Sequence, residues 1–352
     1  MKQFRKKVGT DRLNEISRIE HMREKWLCEF YPIKMKLVIE MKLKFVNFFA
    51  LFFTVTLLIA QPYSSELDSI LQHRLDSLQL QIGYKGIGVA IQCSDGHIWT
   101  GSRGISSINP TVEVTNQDAY QIGSVTKTMT AACILQMEEE SLLDLDDSIS
   151  LYLDEYISGN AFIDPNITIR QLLRHESGLF DVFANASLQP TLMNQMDSVW
   201  LVPDIISTFL QAPLFDAGTS WSYSSTNYLL LSLIIEEISG QPYYAEMRER
   251  FFDPLELNSI VFPAYESFNS PVAHVWINIF GGPATEDAHS FWTNYLSMNS
   301  AAGAAGAYYG TPHDINTWTW KLFRGDLFSV ELLDQMTTTV NAPGLPNSTY
   351  GL

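Results

Sequence analysis

The sequence predicts an α+β fold. Three features support it: an early pair of strands joined by a tight turn, a long series of helical spans after that pair, and no strand–helix–strand alternation of the doubly wound kind. A sizeable apolar fraction, 46% of 352 residues, is enough to give such a fold a core.

The elements follow in chain order. Residues 1–40 are basic and carry little apolar periodicity. Met41-Lys-Leu-Lys44 then leads into an apolar run, Phe45 to Ala60, interrupted by Asn47, Thr54 and Thr56. A basic lead, an apolar stretch shorter than a comfortable bilayer span and a small residue at its end predict a secretory signal over 41–60 with cleavage after Ala60. Translation is expected to start at Met35 or Met41, with 1–40 a doubtful extension. If Met1 is the start, 45–60 is expected to stay as a signal-anchor, and either arrangement places the body outside the cytoplasm, periplasmic or secreted.

Ser64 to Leu80 has helical periodicity with Ser64 or Ser65 as cap. Gly86 to Cys93, then Asp95-Gly96, then His97 to Thr100 predicts a hairpin, because Asp-Gly favours the tight hairpin turn. A long helix is expected from about Ser124 to about Glu140, with further helices over 167–174, 203–211, 226–239, 243–252, 313–324 and 329–337. Pro and Gly punctuate them. The stretches 179–215 and 260–300 have no pattern with a chemical reading. No linker divides residues 62–352, which are expected to form one domain.

Charge and cysteine content exclude several functions. Residues 1–60 hold 12 Lys/Arg and 6 Asp/Glu, so the rest carries a net −23. Such a body repels a phosphate backbone, and nucleic-acid binding is not expected. Three cysteines, Cys28, Cys93 and Cys133, make no disulfide framework, and no ligand spacing suggests a metal; no cofactor is expected. Cys93 and Cys133 read as buried small apolar side chains.

The chemistry centres on Gly123-Ser124-Val125-Thr126-Lys127. A Ser at a helix start is ordinarily an N-cap. About 0.3 Ser-x-x-Lys pairs are expected by chance in the body, so the motif alone is weak. Its placement strengthens it. A Lys in the first turn faces the positive end of the helix dipole, which disfavours its ammonium form, and only a neutral amine can take a proton. Residues three apart share a helix face, so the Lys127 amine can reach the Ser124 hydroxyl, while the helix start offers N–H groups to an oxyanion. Further on, Phe215 to Tyr228 runs from a Gly turn into a helix and carries Tyr223.

With these blocks in order the sequence resembles the serine β-lactamase and D-alanyl-D-alanine carboxypeptidase (penicillin-binding) family, in its class C-like branch with related esterases. Tyr120-Gln-Ile-Gly-Ser124-Val-Thr-Lys127 resembles the nucleophile motif, Leu172-Leu-Arg-His175-Glu-Ser-Gly178-Leu a Leu-Leu-x-His-x-Ser-Gly-Leu turn, and Tyr223-Ser-Ser-Thr-Asn-Tyr-Leu-Leu the Tyr-x-Asn block. Pro254-Leu-Glu-Leu and the segment from Ala302 to Asp314 add to the likeness, which spans about Leu67 to Leu352. The resemblance implies a β-lactamase/transpeptidase-like fold, an antiparallel sheet flanked by helices plus an all-helical region. It also implies a serine hydrolase acting on D-alanyl peptides, β-lactams or esters as a monomer. Ser124 would be the acylated nucleophile, Lys127 its proton acceptor and Tyr223 the proton shuttle, a role open to a phenol only if Lys127 holds it partly ionised. His175 would be structural.

Two departures stand out. Ser225 occupies the family's Asn position and is the expected substrate-binding residue there, without an amide's separate donor and acceptor ends. The third motif, Lys/His-x-Gly on a strand, is expected after a Tyr-Gly-Leu segment, and the sequence ends at Tyr350-Gly-Leu352. The chain is therefore read as a fragment lacking late strands and a terminal helix. Two other readings remain: a non-catalytic member binding cell-wall peptide or a protein partner, and an α/β-hydrolase, against which the absence of any Gly-x-Ser-x-Gly counts. The aromatics Trp200, Trp221, Trp276 and Trp292 are expected to pack rather than bind.

Overall fold

The computed structural model describes residues 65–277, 286–287, 296–342 and 349–352. The expected extension and signal over 1–60, together with Cys28 and Trp292, lie outside the described residues. Among those described, no helix is long and apolar enough to cross a membrane.

Helix α1 (Ser65–Ile82) buries Leu67, Leu71 and Leu75, one per turn, against the sheet behind it. That sheet is the expected hairpin, β1 (Gly86–Gln92) antiparallel to β2 (Ile98–Ile108), with Gly86 opposite Gly104 and Gln92 opposite Ile98. Gly96 of the Asp95-Gly96 turn has φ +93°, a conformation that suits glycine and explains the turn signal. β2 runs longer than the sequence pattern suggested and carries β3 (Thr111–Glu113) on its other edge.

A short strand, β4 (Tyr120–Gln121), leads through a single tight helical turn, Gly123–Val125, into α2 (Thr126–Glu139). Ten residues of α2 are buried, among them Lys127, Met129 and the run Ala131 to Leu135. A helix buried over most of its surface belongs in the middle of a core. Around it come α3 (Ser150–Ile157), α4 (Ile169–Arg174), α5 (Leu188–Asn194) and α6 (Val202–Phe209). They are followed by the second central helix, α7 (Ser225–Ser239), buried continuously from Ser225 to Ile235. Next, α8 (Tyr243–Met247) continues into a π-helical turn, Arg248–Phe252.

After the short pair β5 (Trp276–Ile277) and β6 (Glu286–Asp287), α9 (Leu296–Gly306) packs on both α2 and α7. β7 (Tyr309–Gly310) pairs antiparallel with β4, and α10 (Pro312–Arg324) covers β1. α11 (Val330–Thr337) and the pair β8 (Val340–Asn341) and β9 (Thr349–Tyr350) complete the described chain. The architecture is α+β, with antiparallel strands and a largely helical region, as the sequence predicts. Cys93 and Cys133 are buried free thiols. Trp221 is buried and Trp200 packs on Phe209 with ring centroids 5.6 Å apart.

Candidate active site

Ser124 is presented by the junction of β4 and α2. The Ile122 N–H donates to Tyr308 O (3.0 Å), fixing the strand end. Gly123 then turns the chain at φ +51°, a conformation that suits glycine, and Gly306 at the end of α9 lies beside its backbone. No side-chain cap is made at either the tight turn or α2. The Ser124 hydroxyl is thus not the N-cap that a Ser at this position would ordinarily be. It is exposed and accepts two hydrogen bonds, from the Tyr223 phenol at 2.9 Å and, longer, from the Lys127 amine at 3.5 Å.

Lys127 is 3% exposed. Its amine also donates to Ala305 O of α9 at 2.6 Å and lies 4.9 and 5.4 Å from the ring centroids of Tyr223 and Tyr228. Burial pulls its pKa down to about 8, with the Asp181 carboxylate acting in the opposite sense. A sizeable neutral fraction at mildly alkaline pH is what a general base needs.

The phenol corrects one expectation. Tyr223 is not held partly ionised by Lys127. Burial raises its pKa, the Ser124 hydrogen bond opposes the rise, and Asp181 adds to it. The phenol therefore keeps its proton and points it at Ser124, as a donor.

The Tyr223 loop is held by His175. Helix α4 begins with a capping box in which Thr168 and Gln171 satisfy each other's backbone N–H groups, and it ends at His175 in the left-handed region, φ 61°. The fully buried imidazole accepts at Nδ1 from the Ser224 N–H (3.1 Å), so its proton sits on Nε2, which donates to the Tyr350 hydroxyl (3.2 Å). Burial first, then Lys127, hold its pKa down to about 3, so it is neutral and structural. Asn227 braces the same corner, donating to Leu172 O (2.9 Å) and accepting from Ser177 (2.7 Å).

The structure brings Ser124, Lys127 and Tyr223 into contact. Ser225 stands at the first residue of α7, 9% exposed, and Lys127 makes its bonds to Ser124 and Ala305 rather than to it. Sequence reasoning met Ala305 only within the Ala302–Asp314 segment and Tyr350 only within Tyr350-Gly-Leu352, and it did not single out Asp181, whose side chain caps the tight turn that follows it. Among the described residues no group of three His, Cys, Asp or Glu could hold a metal ion.

An exposed serine flanked by a buried amine and a phenol, on a mixed α+β scaffold, is the arrangement of a serine hydrolase. The chain belongs to the Beta-lactamase family, whose profile matches residues 67–352. It is similar to a putative penicillin-binding protein, PbpX, of Bacillus subtilis (strain 168), at 28% identity over 276 residues. That match covers 77% of this chain and 62% of the relative, so the chain spans under two thirds of that protein's length. Among solved structures, a D-stereospecific amidohydrolase from Streptomyces sp. superposes with a TM-score of 0.67 at 30% identity, covering 83% of this chain and 82% of that one. The D-amino acid amidase from Ochrobactrum anthropi SV3, in complex with L-phenylalanine amide, gives a TM-score of 0.67 at 25% identity over 82% and 79% of the chains.

Proposed function

We propose that the protein is an exported hydrolase that forms an acyl-enzyme on Ser124. As Oγ attacks the substrate carbonyl, its proton passes to the neutral Lys127 amine. Collapse of the tetrahedral intermediate then releases the leaving group, which takes a proton from the Tyr223 phenol while Lys127 resupplies it. Water hydrolyses the resulting ester by the reverse route. The observation that carries this reading is the meeting of the Ser124 hydroxyl with both Tyr223 and Lys127, at 2.9 and 3.5 Å.

The proposed substrates are D-alanyl peptides, β-lactams and esters, with D-amino acid amides added by the similarity to the two amide-cleaving enzymes. Ser225 in place of an Asn favours small esters and amides over β-lactams, since a hydroxyl cannot present separate donor and acceptor ends to an acylamino group. Export rests on the basic lead and apolar run of 41–60.

Incubation with a fluorescent penicillin or a fluorophosphonate, followed by digestion and mass spectrometry, is expected to place a covalent adduct on Ser124. An adduct elsewhere, or none with either reagent, would overturn the catalytic reading. The same Ser225 supports a second reading, a non-catalytic member that binds cell-wall peptide; it predicts saturable binding without any product burst.

The acylation rate should climb with pH and level off around the Lys127 pKa, about 8, because only the unprotonated amine accepts the serine proton. A profile flat through that region would remove Lys127 as the base.

A further inference from the structure

Helix α9 consists of two helical pieces that meet at a non-helical residue. Gly303 is buried and has φ +43° and ψ −136°. That conformation is close to the first central position of a type II′ turn, which glycine adopts and a residue with a Cβ resists. A Cβ there would also stand 3.3 Å from Leu229 Cδ2 of α7. Past the break a single turn remains, closed by the Ala307 N–H donating to Gly303 O at 3.0 Å. A helix running on would next engage the carbonyls of Ala304 and Ala305 with the N–H groups of Tyr308 and Tyr309. Those donors go elsewhere, to Thr126 Oγ1 (3.3 Å) and Val261 O (3.0 Å). The two buried carbonyls turn to α2 instead: Ala304 O accepts from the Thr130 hydroxyl at 3.0 Å and Ala305 O from the Lys127 amine at 2.6 Å.

Resting on the Ser124, Lys127 and Tyr223 scheme, we propose that Gly303 is a positioning residue for acylation: its break in α9 aims the Ala305 carbonyl at Lys127, and that carbonyl turns the amine so that its lone pair meets the Ser124 hydroxyl. A neutral amine has two N–H groups and one lone pair, and rotation about its last C–N bond gives three staggered settings. In one of them the lone pair faces Ser124, 3.5 Å away. The step balances within these groups. The Ser124 O–H bond breaks, its proton forms a third N–H bond on Lys127, and Oγ bonds to the substrate carbonyl carbon.

The surroundings make Ala305 O the anchor. Among the described residues the amine meets two oxygens, and the bond to Ala305 O is much the shorter, 2.6 Å against 3.5 Å to Ser124. The ring centroids of Tyr223 and Tyr228, 4.9 and 5.4 Å away, take an N–H only weakly. One N–H on the carbonyl and the other toward the rings leave the lone pair for Ser124. After the transfer the ammonium keeps the same carbonyl, now through a charge-assisted bond. Ala305 has little freedom to choose its direction. Thr130, itself held by the Tyr243 hydroxyl at 2.8 Å, fixes Ala304 O on one side, and the Tyr308 and Tyr309 N–H groups are fixed on the other. Where the last turn begins, at Gly303, therefore sets where the carbonyl points.

Gly303→Ala tests this through fluorophosphonate labelling of Ser124, which yields two numbers: the rate constant and the fraction of chains labelled at completion. The rate constant is followed against pH to its plateau, where the amine is neutral and its proton affinity no longer enters. In the variant the plateau rate constant should fall about tenfold, through lost orientation and a misplaced base, with labelling still running to full stoichiometry. A purely structural role would do the reverse, lowering the labelled fraction and leaving the rate constant of the remainder unchanged. That result, or an unchanged plateau with full labelling, would overturn the proposal. If the Ala variant fails to fold, Ala305→Gly loosens the same carbonyl without adding a Cβ, and its plateau should fall about twofold at full stoichiometry, since one of three amine settings is no longer enforced; an unchanged plateau there would overturn the proposal equally. Wild-type labelling at a residue other than Ser124 would instead defeat the proposed function, and this inference with it.

Discussion

Lys127→Met is expected to lower kcat/KM by about 10²–10⁴-fold, the range for losing a positioned general base, while making the folded protein more stable. The amine is 3% exposed and its pKa is lowered to about 8 from 10.5, mainly by burial. Between those two pH values the folded state binds fewer protons than the unfolded chain, so stability rises with pH across that window. Below about 8 the full cost of burying the ammonium is present, on the order of 3 kcal/mol. Met fills a similar volume without a charge. It leaves Ala305 O without its donor, which offsets part of the gain, so a net increase of about 1–2 kcal/mol is expected at neutral pH. Steady-state kinetics and thermal melts at two pH values check both halves. The stability difference should shrink as pH rises above 8, where the wild-type amine is neutral in the fold. A variant that keeps activity within tenfold, or melts well below wild type, would contradict this account.

Gly178→Ala is expected to cost more than about 3 kcal/mol and to abolish labelling at Ser124. Gly178 has φ +73°, and an added Cβ would stand 2.0 Å from Phe215 O, a backbone atom that cannot rotate away. The contact is tight because two loops are laced together there. The Leu214 N–H donates to Gly178 O (2.8 Å), the Gly218 N–H to Glu176 O (2.8 Å) and the Ser222 N–H to His175 O (3.0 Å). The second of these loops ends at Tyr223, so forcing the two apart displaces the phenol that meets Ser124 at 2.9 Å. Gly159→Ala is the control. Its φ is +82° and nothing lies within 4 Å of the added Cβ, so its cost is backbone strain alone, about 1 kcal/mol. Urea unfolding of the two variants separates collision from strain. Equal losses would mean that the Phe215 contact carries no weight.

What the sequence made legible was local. The Asp95-Gly96 turn is written in neighbouring residues, and the expected helices over 167–174, 226–239 and 313–324 fall within a few positions of the observed ones. Ser124 and Lys127 belong to one turn, so their approach could be anticipated. Tyr223 depended on the family resemblance, and its protonation was misjudged because the burial that raises its pKa comes from distant parts of the chain. Helix α9 escaped for a similar reason. Its Leu-Ser-Met-Asn-Ser-Ala-Ala-Gly-Ala-Ala-Gly sequence has no apolar stripe, and Gly303 breaks it at φ +43°, so packing on α2 and α7 rather than propensity holds it. Asp181 is placed by Thr226, 46 residues beyond Phe180, a relation that no local pattern encodes.

The mooring of Lys127 to Ala305 makes the chemistry a gauge of assembly. Thr130 donates to Ala304 O (3.0 Å) and the Tyr308 N–H to Thr126 (3.3 Å), so α9 is stitched to α2 on both sides of that mooring. Lifting α9 would admit water to the amine, return its proton affinity toward that of a free lysine and silence it as an acceptor at neutral pH. Reactivity should accordingly vanish under mild denaturing conditions before bulk ellipticity changes, with the enzyme switching off at the seam between two helices while most of its backbone is still in place.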